Sequence, residues 1–337
     1  MPLSSASHRA RPQSPTVFGF GGHIALAAIV DHGNHASHLS WFQAIVLGGL
    51  QGVTELFPIS SLGHTVLFPT LFGWTKLVKD QSDPESFWLA LVVMLHVGSA
   101  LGLLIYFWRD WVAIIRAFFV SLGRRRIETP TEKLAWLIVV ASIPTGVIGI
   151  ALEHPLRVLF AKPTAAAIFL MVNGGVLLGA ERLRRRVAAR PSVPAARRSA
   201  GDAPTADEAD ELSAITFRDA IGIGFVQSTA LIAGISRDGV CMSAGLLRGL
   251  DNEIAARFAF LLATPIILAA GVFKISDLTG PLGNGIRAQA AVACACAAIT
   301  AVISVHYLVR YFRTRTLTPF GLYCLGFGLA MTIYTTT

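Results

Sequence analysis

Charge is scarce in this sequence. Twenty-eight Lys and Arg and 20 Asp and Glu in 337 residues make 14%, against about a quarter in a soluble domain, which excludes an ordinary water-soluble enzyme. Cysteine is scarce too. Four residues cannot define a disulfide framework, and Cys294, Cys296 and Cys324 lack metal-ligand spacing, so they read as small apolar residues. The 31 glycines show no three-residue period, which excludes a collagen-like chain, and 53% hydrophobic residues exclude a disordered one. What remains, with a mean hydropathy of +0.60, is a polytopic membrane protein. A net charge of +8 would suggest nucleic acid to a soluble chain. In a membrane chain it reflects Lys and Arg held in cytoplasmic loops, so the expected partner is the lipid bilayer and no nucleic acid.

Long apolar runs bounded by charge predict spans at 88–107, 134–152, 164–180, 258–273, 288–309 and 318–335. Each is near the ~20 residues needed to cross the hydrocarbon, 258–273 being short. Two further apolar stretches, 40–72 and 214–247, are broken mid-way by Pro58-Ile59-Ser60-Ser61-Leu62-Gly63 and Ala233-Gly234-Ile235-Ser236. Such breaks predict re-entrant helix pairs, because irregular backbone survives at membrane depth only where protein or a wet cavity satisfies it.

The two broken stretches resemble each other. A shift of 176 residues aligns Ala44 with Ala220, Ile45 with Ile221, Gly48 with Gly224, Gln51 with Gln227, Ile59 with Ile235, Ser60 with Ser236 and Gly63 with Gly239. Three spans lie between the copies, an odd number, so the second should be upside down relative to the first. The fold expected is an all-α polytopic membrane protein of inverted-topology repeats, each a re-entrant helix pair plus three transmembrane helices. Repeat 1 takes 40–181, a cytoplasmic linker 182–213 and repeat 2 214–337. Residues 1–39 form an N-terminal extension, either disordered or a marginal extra span. The loops 109–133, 182–213, 248–257 and 310–317 carry 18 Lys and Arg. The opposite ones carry five, Lys76, Lys79, Arg157, Lys162 and Arg287. The richer set is therefore cytoplasmic, and the first broken stretch enters from outside.

With these boundaries the charged groups at membrane depth are Glu55, Arg237 and Asp238. Ionisable residues there are costly and mark function, or else pair with one another as structural glue. Gln51 and Glu55 share one helix face and can point together at a metal ion or polar ligand. Ser60 and Ser61 follow Pro58 in irregular backbone. His64, three residues beyond Ser61, is placed to exchange a proton with a hydroxyl or a leaving group. Gly234, Ser236, Arg237 and Gly239 offer exposed backbone N–H groups, a hydroxyl and a planar guanidinium suited to phosphate oxygens. Facing one another, the two breaks hold the equipment for phosphoryl transfer. His96 sits in mid-span, where a hydrogen-bonded core histidine is as good a reading as a site residue.

The runs Gln51-x-x-x-Glu55, Pro58-Ile59-Ser60-Ser61-Leu62-Gly63-His64 and Ala233-Gly234-Ile235-Ser236-Arg237-Asp238-Gly239 resemble the undecaprenyl-diphosphate phosphatase (bacitracin resistance) family of bacterial inner membranes. The similarity extends from about Ser40 to the C-terminus and includes Leu95-His96-Val97-Gly98-Ser99 and Phe260-Leu261-Leu262-Ala263-Thr264-Pro265. The resemblance implies hydrolysis of undecaprenyl diphosphate to the monophosphate at the outer side of a multi-pass bacterial plasma membrane protein. It implies Ser61 as nucleophile, Glu55 as essential carboxylate, His64 as acid/base and Arg237 as diphosphate-binding arginine. Gln51, Ser60, Gly234, Ser236 and Gly239 would complete the substrate site. A divalent cation, Mg or Ca, bridging Glu55 and the diphosphate is an expectation, and a homodimer is left open.

This chain departs from the family pattern at Leu62, Ala233, Asp238 and Cys241, where hydroxyl residues or Pro are usual. Asp238 adds negative charge that needs Arg237 or a cation as partner, and pairing with Arg237 would aim the guanidinium. The rival function is a polyprenyl-phosphate translocase or secondary transporter without hydrolysis, which requires neither Ser61 nor His64.

Overall fold

The structure is a computed structural model that describes residues 39–74, 77, 87–152, 162–187, 215–279 and 285–337. The extension before Leu39 and residues 188–214 of the linker lie outside the described residues. Among the described residues the regular elements are all helical. They are α1 (Trp41–Leu56), α2 (Ser61–Leu71), α3 (Phe87–Tyr106), α4 (Trp108–Arg124), α5 (Pro130–Ala151), α6 (Pro163–Val187), α7 (Phe217–Ser228), α8 (Arg237–Leu247), α9 (Asn252–Thr279), α10 (Arg287–Phe312) and α11 (Thr318–Thr336).

By length and composition, α5, α6, α9 and α10 can cross a membrane, and the bent pair α3 and α4 would make a fifth span if counted as one. α5 shows why such helices need lipid. Leu134, Leu137, Ile138 and Ala141 face the protein, while Val139, Ile143, Val147 and Ile150 are equally apolar and exposed, so no polar face is left for water.

Local signals start the helices. Ser40 with Gln43, Thr129 with Glu132 and Thr216 with Asp219 form capping boxes at α1, α5 and α7, each satisfying donors that the first turn leaves free. α2 and α8 begin inside the protein, capped by Ser60 and Ser236, whose hydroxyl oxygens accept the N–H of Gly63 (3.2 Å) and Gly239 (3.1 Å).

Lipid tails are as apolar as leucine, so helix association rests on close packing of small residues. α1 and α3 both lie on α10, with Gly48 and Gly52 from one and Gly98 and Gly102 from the other facing its buried Ala293, Ala297 and Ala301. The approach leaves no room for a side chain. A Cβ on Gly52 would stand 2.2 Å from the Ala297 carbonyl oxygen, and one on Gly98 2.4 Å from that of Cys294. α6 pairs with α11 and also touches α2 and α8, and α7 lies on α5.

Three boundaries differ from the sequence expectation. Residues 109–133 are not a simple loop: α4 turns 87° from α3 with Trp108, Val112, Ile115, Phe119 and Leu122 exposed and Arg109, Arg116 and Arg124 beside them, a composition suited to the headgroup plane. The short span 258–273 is part of the longer α9, which runs through Arg257 because Asp110 of α4 neutralises that guanidinium at 2.6 Å. The linker does not begin at 182. α6 continues to Val187, with Arg184 and Arg185 bonded to Glu181 one turn back at 3.4 and 3.2 Å.

Candidate active site

α1 ends at Leu56 because Pro58 cannot continue it, and the chain turns through Ser60, whose φ of 69° is left-handed for a residue with a Cβ. Such a conformation costs of order 1–3 kcal/mol and persists only where the surroundings over-determine it. Here they do. The Ser60 hydroxyl oxygen accepts from Gly63 within α2 and from the backbone N–H of Gly234 at 3.1 Å. The two breaks therefore touch, and Ser61 and Arg237, the first residues of α2 and α8, are brought to one place.

Glu55 lies at the centre of that place, 7% exposed. Its Oε1 accepts from the Arg237 guanidinium. Its Oε2 accepts from the Ser61 hydroxyl and from Gln51 Nε2, the latter at 3.0 Å. The buried carboxylate is thus both paired and hydrogen-bonded, the condition under which a charge is tolerated in an apolar interior. Arg237 also stands 3.6 Å from Asp238, which is fully buried. Arg237 Nη1, Gln51 Oε1 and both carboxylate oxygens of Asp238 are buried without a hydrogen-bond partner. A donor and three acceptors left unmet in one place are unusual in a resting core and suit a ligand site.

The placement of His64 differs from the expectation of a contact with Ser61. His64 turns away from Ser61. Its Nδ1 is 2.7 Å from the Ser60 carbonyl oxygen and its Nε2 is 2.8 Å from the Tyr323 hydroxyl, with the ring stacked on Tyr323 and Phe327 of α11. Both ring nitrogens are engaged, so the ring serves as a packed bridge from α2 to α11. The histidine beside Ser61 is His96 of α3, with Nε2 3.4 Å from Ser61 Oγ and 3.3 Å from Glu55 Oε2. Its Nδ1 lies 2.7 Å from the Val92 carbonyl. A carbonyl only accepts, so Nδ1 carries the proton and Nε2 presents its lone pair to the serine when the ring is neutral.

Ser60 and Ser236 have their oxygens committed as helix caps, leaving a hydroxyl proton each to donate. Gly239 supplies its N–H to Ser236, so it supports the cap. Gly234 gives its N–H to Ser60. At the latter, φ of 105°, and a Cβ that would stand 2.4 Å from the Ala166 carbonyl oxygen, leave glycine as the residue that fits.

One residue at the breaks has no counterpart in the sequence reading. Asn173, fully buried in the middle of α6, donates from Nδ2 to the Pro58 carbonyl and accepts at Oδ1 from the Ser236 N–H, each at 3.0 Å. The signal was a lone neutral amide inside an apolar run.

The fold and this constellation define a class: a helical multi-pass membrane protein with a buried serine, carboxylate, guanidinium and imidazole assembled from two helix breaks. The chain belongs to the family described as bacitracin resistance protein BacA, whose family model matches residues 44–330. Among curated relatives, it is 49% identical over 335 residues to undecaprenyl-diphosphatase 2 of Frankia alni, covering 88% of this chain and 98% of that one. It is 51% identical over 303 residues to the undecaprenyl-diphosphatase of Mycolicibacterium paratuberculosis, with the same coverage. The undecaprenyl-diphosphatase of Granulibacter bethesdensis is 42% identical over 291 residues, covering 85% and 94%.

Proposed function

We propose that this chain hydrolyses undecaprenyl diphosphate to undecaprenyl phosphate and phosphate at the outer face of the bacterial plasma membrane. It thereby recycles the lipid carrier of cell-wall synthesis and confers bacitracin resistance. Relatives named undecaprenyl-diphosphatase over most of the chain support it, and the observation that carries it is Ser61 held between Glu55 and His96 with Arg237 adjoining. A translocase needs no such hydroxyl and base.

The two broken segments are read as re-entrant pairs of an inverted repeat. In support, the repeat-matched Ser60 and Ser236 cap α2 and α8 through the repeat-matched Gly63 and Gly239. α1 also lies on α10 as α7 lies on α5. Two helix N-termini then begin at the breaks, where their partial positive charge favours a diphosphate.

At rest, Arg237 neutralises Glu55. The arriving diphosphate takes the guanidinium, including its unused Nη1, and the Ser61 hydroxyl turns its proton from Glu55 to His96. Ser61 Oγ attacks the terminal phosphorus and its proton passes to His96 Nε2. The bond to the bridging oxygen breaks, its electron pair leaves on the polyprenyl phosphate, and His96 hands its proton to that oxygen and is neutral again. Water then attacks the phosphoserine and gives a proton to His96, which passes it to the departing Ser61 oxygen and restores the hydroxyl. In each half the imidazolium is paired with Glu55, 3.3 Å away at Oε2, the role a carboxylate plays beside a catalytic histidine.

The described residues hold no cluster of three or more His, Cys, Asp or Glu fit to cage a metal. They do fit a cation that arrives with the diphosphate, Glu55 and Asp238 flanking Arg237 and both Asp238 oxygens free of hydrogen bonds. Glu55 and Asp238 would hold such a Mg or Ca ion, which would supply charge neutralisation. The test is phosphate release in vesicles, measured apart from transbilayer movement of the lipid. Release that survives both Ser61→Ala and Arg237→Ala rules the mechanism out.

A further inference from the structure

Beside the Gly234 N–H that Ser60 meets, the breaks leave two backbone groups that a continuous helix would have satisfied: the carbonyl of Pro58 before Ser61, and the N–H of Ser236 before Arg237. One is an acceptor, the other a donor, and they belong to segments far apart in the chain. Asn173 meets both with a single planar amide, Nδ2 to Pro58 and Oδ1 to Ser236, each at 3.0 Å. The two partners also fix which end of the amide is which, since a flipped group would set donor against donor. Its neighbours are as constrained. Gly234 lies against the Ala166 carbonyl and the Leu170 N–H of the same helix, so α6 runs along the second break from 166 to 173. Asn173 Nδ2 is 3.4 Å from Cys324 Sγ on α11, which closes the remaining side.

We propose that Asn173 is a positioning residue for the phosphatase reaction, setting the separation of Ser61 and Arg237 by holding the two breaks with one amide. It touches neither the carboxylate nor the nucleophile. Its effect runs through Pro58, three residues before Ser61, and through Ser236, next to Arg237. A misplacement of about 1 Å between a nucleophile and its anion clamp lowers turnover strongly while leaving substrate capture nearly intact. This rests on the reading of Ser61 and Arg237 given above.

The experiment is steady-state phosphate release from undecaprenyl diphosphate by purified Asn173→Leu, with substrate titration and a thermal midpoint in detergent on the same preparations. Leucine matches the side-chain volume and removes both hydrogen bonds. The expected result is a fall in kcat of about tenfold or more with KM within about threefold of wild type, on protein that still melts cooperatively. Combining it with Arg237→Lys is expected to give a further loss smaller than Arg237→Lys causes alone, because the clamp is already out of register. Unchanged kcat in the folded single variant, or full additivity in the double, overturns the proposal. If Asn173→Leu does not fold, Asn173→Gln takes its place. One methylene longer, it is expected to shift the breaks and lower kcat, and wild-type kcat there overturns the proposal as well. Ser61→Ala is run alongside. If wild type releases no phosphate the phosphatase reading falls, and if Ser61→Ala still releases it the reading of Ser61 as nucleophile falls, in either case with the positioning role. An inactive Ser61→Ala beside an unaffected Asn173 variant overturns the positioning role alone.

Discussion

Ser60 and Gly234 stand 174 residues apart in sequence and are joined by one hydrogen bond of 3.1 Å, from the glycine N–H to the serine hydroxyl oxygen. Because that oxygen also caps α2, the left-handed backbone of Ser60, the start of the nucleophile helix and the second break are one unit.

Ser60→Ala is therefore expected to destabilise the protein by about 2 kcal/mol or more, since it leaves the buried N–H of Gly234 and that of Gly63 unmet. Thermal melting in detergent checks this. A melting point within a degree of wild type would mean that the two breaks are held by other contacts.

Ser61→Ala is expected to lower kcat by about 10³-fold or more, as loss of a nucleophile does when no other group replaces it. Because Ser61 lies at the start of α2 and its hydroxyl is not the cap, the variant should remain folded. Radiolabelled phosphate release gives the number, and circular dichroism the fold.

Arg237→Ala leaves the Glu55 carboxylate buried without its counter-ion, a loss of about 3–5 kcal/mol where a buried pair is broken from one side. The double variant Glu55→Gln with Arg237→Ala should recover most of that stability and none of the activity. If the double variant melts no higher than the single, the pair is not the source of the loss.

The two histidines should separate cleanly. His96→Gln is expected to lower kcat/KM by about 100-fold, the size of general-base assistance. His64→Gln should keep most of the wild-type kcat/KM but melt earlier, since it loses the stack with Tyr323 and Phe327. A loss of about 100-fold in His64→Gln beside near-wild-type kcat/KM in His96→Gln reverses the two roles.

Chelation is expected to slow phosphate release, with Mg or Ca restoring it, and Asp238→Asn should raise the cation concentration needed for half restoration. An Asp238→Asn enzyme with the wild-type cation dependence assigns the cation to Glu55 and substrate alone.

Much of this arrangement could be read from sequence because the informative residues break the pattern around them. Pro58, Ser60, Ser61 and Gly63 interrupt an apolar stretch, and Glu55 and Arg237 place charge where lipid surrounds the chain. What escaped notice lies where sequence distance misleads. His64 is three residues from Ser61, but α2 carries its ring onto Tyr323 of α11, whereas His96 arrives from another helix. Arg257 and Asp110 fell within segments expected to be cytoplasmic loops and instead neutralise each other inside the protein. Asn173 bears no charge, and only the two breaks on either side of it reveal what its amide is for.

None of the hydrogen bonds to Glu55, Ser61, His96 or Arg237 described above comes from α10. Yet Gly52 of α1 lies three residues before Glu55, and Gly98 of α3 two residues after His96, and both rest on its backbone. α10 is in effect the ruler along which carboxylate and imidazole are spaced. Residues that never meet substrate, such as Ala293 and Ala297, therefore govern turnover through their smallness. In a library of random substitutions, inactive clones should map to the shared face of α10 as often as to the site, while its lipid-facing positions, Ile299 and Ile303, drift freely.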